Sequence, residues 1–221
     1  MTSFQQYLTD LPLLHSWDKG QTWNTGGFVA KQLECFHRRA GGATGGLSII
    51  ETGAGNSTIT FLHTKPRRLI AIAPADALFA RIHDYCLKND LDERPLRAVI
   101  DRSEMALPMI AHEEFGAGRR YDVGLLDGGH GWPTVFVDFC YVNMMLRKGG
   151  ILWIDDVQLH SVKELARLLT HQPGFRLVED LGKVLAFEKL TDEPLLPDFG
   201  SQPYIMDKSN QCEQSGNRYA R

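Results

Sequence analysis

Three short stretches of this 221-residue chain hold residues whose types and spacing could do chemistry. The first is Glu51-Thr52-Gly53-Ala54-Gly55-Asn56-Ser57-Thr58, directly after the apolar run Leu47-Ser48-Ile49-Ile50. Glycines here let the backbone pass close to a ligand, and free N–H groups at the start of a following helix suit polar or negative groups. The second is Asp127-Gly128-Gly129-His130, an acid and an imidazole three residues apart in a glycine-rich loop. The third is Asp155-Asp156, which follows Ile151-Leu152-Trp153-Ile154. Adjacent carboxylates repel unless solvated or shared with a cation, and a hard cation such as Mg2+ takes oxygen ligands. Asp127, Asp155 and Asp156 are therefore a candidate partial metal shell.

Each stretch also has a plainer reading. A lone GxG is often an ordinary strand-to-helix turn, Asp155 or Asp156 could cap the next helix, and a single loop histidine is more often hydrogen-bonded than reactive. Convergence favours the chemical reading. All three stretches follow apolar runs that read as parallel strands, and such folds bind ligands beyond the carboxyl ends of their strands. His160, four residues past Asp156, could line the same mouth, whereas His15, His37, His63, His83, His112 and His171 read as structural or surface groups.

The elements that must position these residues follow from periodicity. Phe28, Val29, Leu33 and Phe36 fall at helical spacing up to Arg39, before a glycine-rich break at 41–46. Strand-like runs at 47–52, 67–74, 95–101, 121–127 and 150–156 alternate with helical stretches starting near Ser57, at 76–88, from Ser103, at 134–148 and at 161–169. Two final runs, FRLVEDL and KVLAFEKL, flank Gly182 as a hairpin. This pattern predicts an α/β fold: a Rossmann-like, doubly wound sheet of seven mostly parallel strands, with a C-terminal antiparallel hairpin and helices on both faces. Residues 1–46 read as an N-terminal helical segment on the substrate side, 47–190 as the ligand-binding domain, and the polar stretch 191–221 as a mobile tail.

Composition narrows the function classes. With 43% hydrophobic residues and 221 residues in all, one domain can hold a full core without staples. A net charge of −3 gives no broad attraction to phosphate backbones or anionic lipid, so neither nucleic acid nor membrane is expected as a partner. No run reaches the roughly 18 apolar residues of a membrane span, and residues 1–18 show no secretory signal. The four cysteines form no CxxC and argue against a disulfide framework or zinc site. The cytoplasm is the expected compartment. No GxxxxGK[ST] occurs, and the glycine turn lacks the third glycine of a dinucleotide fingerprint.

Taken in order, ETGAGNST, DVGLLDGGHGW, LRKGGILWIDDV and the terminal hairpin resemble a class I S-adenosylmethionine-dependent methyltransferase over about residues 45–190. The subgroup most similar is the small O-methyltransferases with a DxxH loop, including the macrocin type and, more distantly, the catechol type. That resemblance implies S-adenosylmethionine as cofactor, together with Mg2+ or another divalent cation. It implies that Glu51, Gly53 and Gly55, with Asn56 and Ser57, hold the methionine part, and that Asp76, Asp101, Ser103 and Asp127 complete the cofactor set. It makes Asp127, Asp155 and Asp156 metal ligands and His130 the general base.

One departure stands out. Ala73 occupies the place where the family carries an acid for the ribose hydroxyls; either Asp76 reaches back, or backbone and water hold the ribose, or cofactor binding is weakened. The leading expectation is metal-assisted O-methylation of a small hydroxylated molecule such as a sugar, polyol or phenol, with Trp17, Trp23 and Trp132 available to stack it. The alternatives are a degenerate methyltransferase fold serving as a binding or scaffold module and, further off, a nicotinamide-dependent oxidoreductase. A homodimer is left open.

Overall fold

The computed structural model describes residues 2–16 and 18–214. Seven strands form one sheet: β1 (Ser48–Thr52), β2 (Arg68–Ile72), β3 (Leu96–Val99), β4 (Tyr121–Leu126), β5 (Leu146–Ile154), β6 (Phe175–Asp180) and β7 (Leu185–Lys189). Their order is β3-β2-β1-β4-β5-β7-β6. The first five run parallel, while β7 is antiparallel to both β5 and β6. The order reverses between β1 and β4, which is where an open α/β sheet leaves a crevice at the carboxyl ends of its strands. The expected sheet and terminal hairpin are both present.

Eight helices surround it: α1 (Phe4–Thr9), α2 (Ala30–Arg39), α3 (Asn56–His63), α4 (Asp76–Asn89), α5 (Ser103–Gly116), α6 (Thr134–Met145), α7 (His160–His171) and α8 (Pro203–Gln214). Period-two alternation along the strands divides the core in two. Ile49, Leu69, Ala71, Val123, Leu125 and Trp153 face one way and pack with residues of α2, α3 and α4. Their neighbours Ile50, Ile70, Ile72, Leu126, Leu152 and Ile154 face the other way, against α5, α6 and α7. Both sides of the central strands are thus dry, which is why these strands read as continuous apolar runs. Cys35 and Cys86 are buried free thiols and Cys140 is half-buried. Among the described residues no helix is long and apolar enough to cross a membrane.

Two segments differ from the sequence expectation. The helix expected over 134–148 stops at Met145, and Leu146 already pairs with Tyr121 as the start of β5. A buried lysine explains the early stop. Lys189 reaches in from β7 and its Nζ donates to the carbonyls of Asn143 (2.7 Å) and Leu146 (3.1 Å), taking groups that a continued helix would use itself. Burial lowers that ammonium's pKa to about 8.

The second concerns 191–221, expected as a mobile tail: its described residues include α8 at 203–214, and 215–221 lie outside the described residues. Asn143 Nδ2 donates to the Pro194 carbonyl at 3.0 Å, and Pro203 opens the helix, a position its fixed φ suits. Tyr204 then donates its hydroxyl to the Glu164 carboxylate on α7 and lies 5.5 Å from the His171 ring.

Phe36 links α2 to the sheet. It is fully buried, with its ring 4.9 Å from Phe28, 6.1 Å from Phe61 and 4.7 Å from Trp153. Phe36→Ala should destabilise the protein by about 3–5 kcal/mol in urea unfolding, because this two-sided contact leaves little room for the site to collapse.

Candidate active site

At the carboxyl ends of β1, β2, β4 and β5 lies a cavity of about 570 Å3, within the usual range for a small-molecule site. Its floor is the turn Gly53–Ser57, its sides are Ala73–Ala75, Arg102–Glu104 and Asp127–His130, and Asp156 closes one end. The remaining wall is the N-terminal loop, through His15, Ser16 and residues 24–28.

The floor depends on close backbone approach. Gly53 has φ +87°, and a Cβ there would stand 2.3 Å from the Asp127 carbonyl oxygen, so no side chain fits. Glu51 is fully buried beneath the turn and does not line the cavity. Ser57 Oγ donates to it at 2.7 Å and Thr58 Oγ1 at 2.5 Å, while Thr58 Oγ1 accepts the Gly55 N–H at 2.9 Å. Glu51 therefore shapes the turn from below. Burial pushes its carboxyl up to about 7 against the hydroxyl bonds that favour the charged form.

His130 lines the cavity between two carboxylates. Its Nε2 lies 3.7 Å from Asp127 Oδ1 and its Nδ1 3.8 Å from Asp156 Oδ2. Both exceed hydrogen-bond length, and Nε2 is buried without a hydrogen-bond partner. The loop is tied to α7 by the Ser161 hydroxyl, which donates to the His130 carbonyl. Burial raises the Asp127 carboxyl well above its ordinary value, and the neighbouring Asp155 charge raises it further.

A divalent cation at Asp127, Asp155 and Asp156 does not fit this arrangement. Asp155 is buried and absent from the cavity wall. Its Oδ2 accepts from Lys183 Nζ at 2.9 Å, and Asp156 Oδ1 accepts from the same Nζ at 3.3 Å. Among the described residues no three His, Cys, Asp or Glu side chains are placed to hold a metal ion. Two of the three carboxylates implied as ligands are thus bonded to an ammonium instead. Burial opposes the charge on Lys183, but Asp155 and Asp156 outweigh it and hold the lysine above its ordinary pKa.

Of the other expected cofactor residues, Gly53, Gly55, Asn56, Ser57, Ser103 and Asp127 line the cavity. Ser103 does so with its hydroxyl donated to Asp138 Oδ2 at 2.9 Å. Asp76 and Asp101 do not line it: Asp76 is exposed at the start of α4, and Asp101 Oδ1 accepts the Arg102 N–H. The carboxylate on this side is Glu104, bonded by Arg102 Nε at 2.7 Å. His160 is exposed and outside the wall. Neither Trp23 nor Trp132 lines the cavity, and Trp17 lies outside the described residues. Trp23 instead lies under Arg81, and Trp132 packs on Phe136.

Residues that sequence reasoning passed over come from the N-terminal loop. Asn24 gathers it, accepting the Leu14 N–H and donating to the Pro12 carbonyl. Arg81 from α4 anchors it at the Leu14 carbonyl, 2.8 Å away. His15 then donates from Nε2 to the Ala54 carbonyl at 2.7 Å, placing an imidazole over the glycine turn. The Asn-Thr-Gly-Gly run at 24–27 was the available signal for a tight loop; nothing local marked His15.

The class of fold defined by this strand order and crevice is the Rossmann-like methyltransferase fold. Cofactor-bound Rv0187 from MTB is similar, with a TM-score of 0.59 at 13% identity over 74% of this chain and 81% of that one. A methyltransferase from Geobacter sulfurreducens gives 0.54 at 18% identity, over 77% and 80%. MycE methyltransferase from the mycinamycin biosynthetic pathway, in complex with Mg and SAH, gives 0.53 at 16% identity over 76% of this chain and 52% of that longer one. No protein-family model and no curated protein sequence matches the chain.

Glu51 yields a pH signature. Its folded carboxyl, at about 7, lies above the ordinary 4.5, so between these values the unfolded chain releases a proton that the native one keeps. The stability present below pH 4.5 is then lost as pH rises toward 7, by on the order of 3 kcal/mol. Urea unfolding at pH 5 and pH 8 should show a loss in the wild type that is smaller by about that amount in Glu51→Gln.

Proposed function

We propose that this protein transfers the methyl group of S-adenosylmethionine to a hydroxyl oxygen of a small molecule, with His130 as general base. The observation that carries the reading is the cavity at the β1/β4 crevice, which a glycine turn and His130 both line. The DxxH-type O-methyltransferases are the subgroup whose residue types this corner of the site matches.

S-adenosylmethionine, when bound, supplies an electrophilic methyl on a sulfonium. The chain supplies position and a proton acceptor. Asn56 and Ser57 open α3 at the cavity wall and place helix-start N–H groups there, which suit an amino-acid carboxylate, whereas the Gly53 and Gly55 N–H groups are taken by the Ile72 carbonyl and Thr58 Oγ1. The segment Arg102–Glu104 offers polar groups beside the apolar Ala73, Pro74 and Leu78, a mixture that suits a nucleoside. The N-terminal loop, through His15, Ser16 and residues 24–28, forms the acceptor side. His130 takes the hydroxyl proton as the acceptor oxygen bonds to the methyl carbon and the sulfur–methyl bond breaks. The products are the methyl ether, S-adenosylhomocysteine and a protonated imidazole. Asp156, whose Oδ2 lies 3.8 Å from Nδ1, favours that positive charge. No step is assigned to a metal, because the carboxylates that would hold one are bonded to Lys183.

Hydroxylated acceptors, tested with S-adenosylhomocysteine release as readout, should identify a substrate. With it, His130→Ala should lower turnover by about 100-fold or more, the usual scale of general-base loss. Calorimetry should show S-adenosylhomocysteine affinity within about twofold of wild type, since the ring acts on the acceptor. Full activity in the variant would remove His130 from the mechanism.

A further inference from the structure

We propose that the Lys183 ammonium stands in place of a divalent cation in this acidic cluster, so that the site works without a metal and becomes a metal site only when the lysine is removed. Lys183 lies in the β6–β7 turn, and because β7 runs antiparallel to β5, that turn is carried to the carboxyl end of β5. There its Nζ donates to the Gly26 carbonyl at 2.7 Å, Asp155 Oδ2 at 2.9 Å and Asp156 Oδ1 at 3.3 Å. Three acceptors use all three donors of an ammonium. Two carboxylates and a backbone carbonyl are also the donor types a hard cation takes. The Phe28 ring lies 5.2 Å from the same nitrogen, within range of a cation–π contact.

An ordinary structural salt bridge would need only one of these carboxylates. Here one ammonium serves two adjacent carboxylates and, through Gly26, fixes the loop that forms the opposite wall. It therefore does two things expected of a bound cation: it neutralises the acidic corner and holds separate elements together around it. Asp155 cannot easily do without that partner, since it is 2% exposed and a lone buried carboxylate is strongly destabilising. Asp127 is close enough to interact with both Asp155 and Lys183 and would complete a set of three carboxylates once Lys183 is gone.

The inference concerns the site of the proposed methyl transfer, but cation binding is measured without cofactor or acceptor, so either can fail alone. Full-length wild type and Lys183→Met, checked for folding by circular dichroism, are titrated with Mn2+ in chelator-treated buffer and followed by electron paramagnetic resonance. Wild type should leave the ion free up to on the order of 1 mM, while Lys183→Met binds one Mn2+ at least about tenfold more tightly. Adding Asp155→Asn to Lys183→Met should abolish that binding. One Mn2+ bound to wild type and lost in Asp155→Asn overturns the proposal, as does a folded Lys183→Met that binds none. If Lys183→Met does not fold, Lys183→Gln replaces it, and if neither folds the wild-type titration decides alone.

Discussion

The site depends on a concentration of negative charge that the fold cannot avoid. Parallel pairing of β1, β4 and β5 brings Glu51, Asp127, Asp155 and Asp156 to one sheet edge, with Glu51 and Asp155 buried and Asp127 and Asp156 at the cavity wall. Buried carboxylates are costly unless neutral or paired. The chain uses both solutions. Glu51 and Asp127 are pushed toward their neutral forms by burial, while Asp155 and Asp156 share Lys183. The terminal hairpin is thus part of the site's electrostatics as well as the edge of the sheet, because it delivers that cation.

The glycine turn and this charge are coupled through geometry. Gly53 allows the β1 and β4 ends to approach within contact of each other, which places the Asp127 backbone against the turn and starts the loop that carries His130. Glu51, two residues earlier, bonds Ser57 and Thr58 and so fixes the first turn of α3. A buried acid in this position holds the N–H groups facing the cavity without entering it.

Much of this was legible in the sequence. Apolar runs ending in glycine or acid, separated by helical periodicity, identified the strands and the edge at which their chemistry converges, because both signals are local and repeated. Asp127, His130 and Asp156 were found this way. What escaped notice depends on long-range pairing. Lys183 becomes a site residue only through the antiparallel register that sets Leu185 opposite Ile154. His15 reaches Ala54 across 39 residues of chain. The same holds for the acidic cluster: three carboxylates at suitable spacing were visible, and the lysine that bonds two of them was not. Asp76 and Asp101 follow a similar logic, since nearness in sequence to a strand end did not bring either to the cavity wall.

Ala73 leaves the β2 end of the cavity apolar, with Pro74 and Ala75 beside it and the Arg102–Glu104 pair across from it. The central claim is that this space receives the nucleoside while the glycine turn receives the amino-acid end, which points the sulfur toward His130. A crystal structure of the protein grown with S-adenosylhomocysteine tests it most directly. The account predicts the homocysteine carboxylate at the N–H groups that open α3 at Asn56 and Ser57, adenosine between Ala73 and Glu104, and the sulfur on the His130 side. A ligand bound in another orientation or elsewhere, or a cavity left empty at saturating ligand, would contradict it.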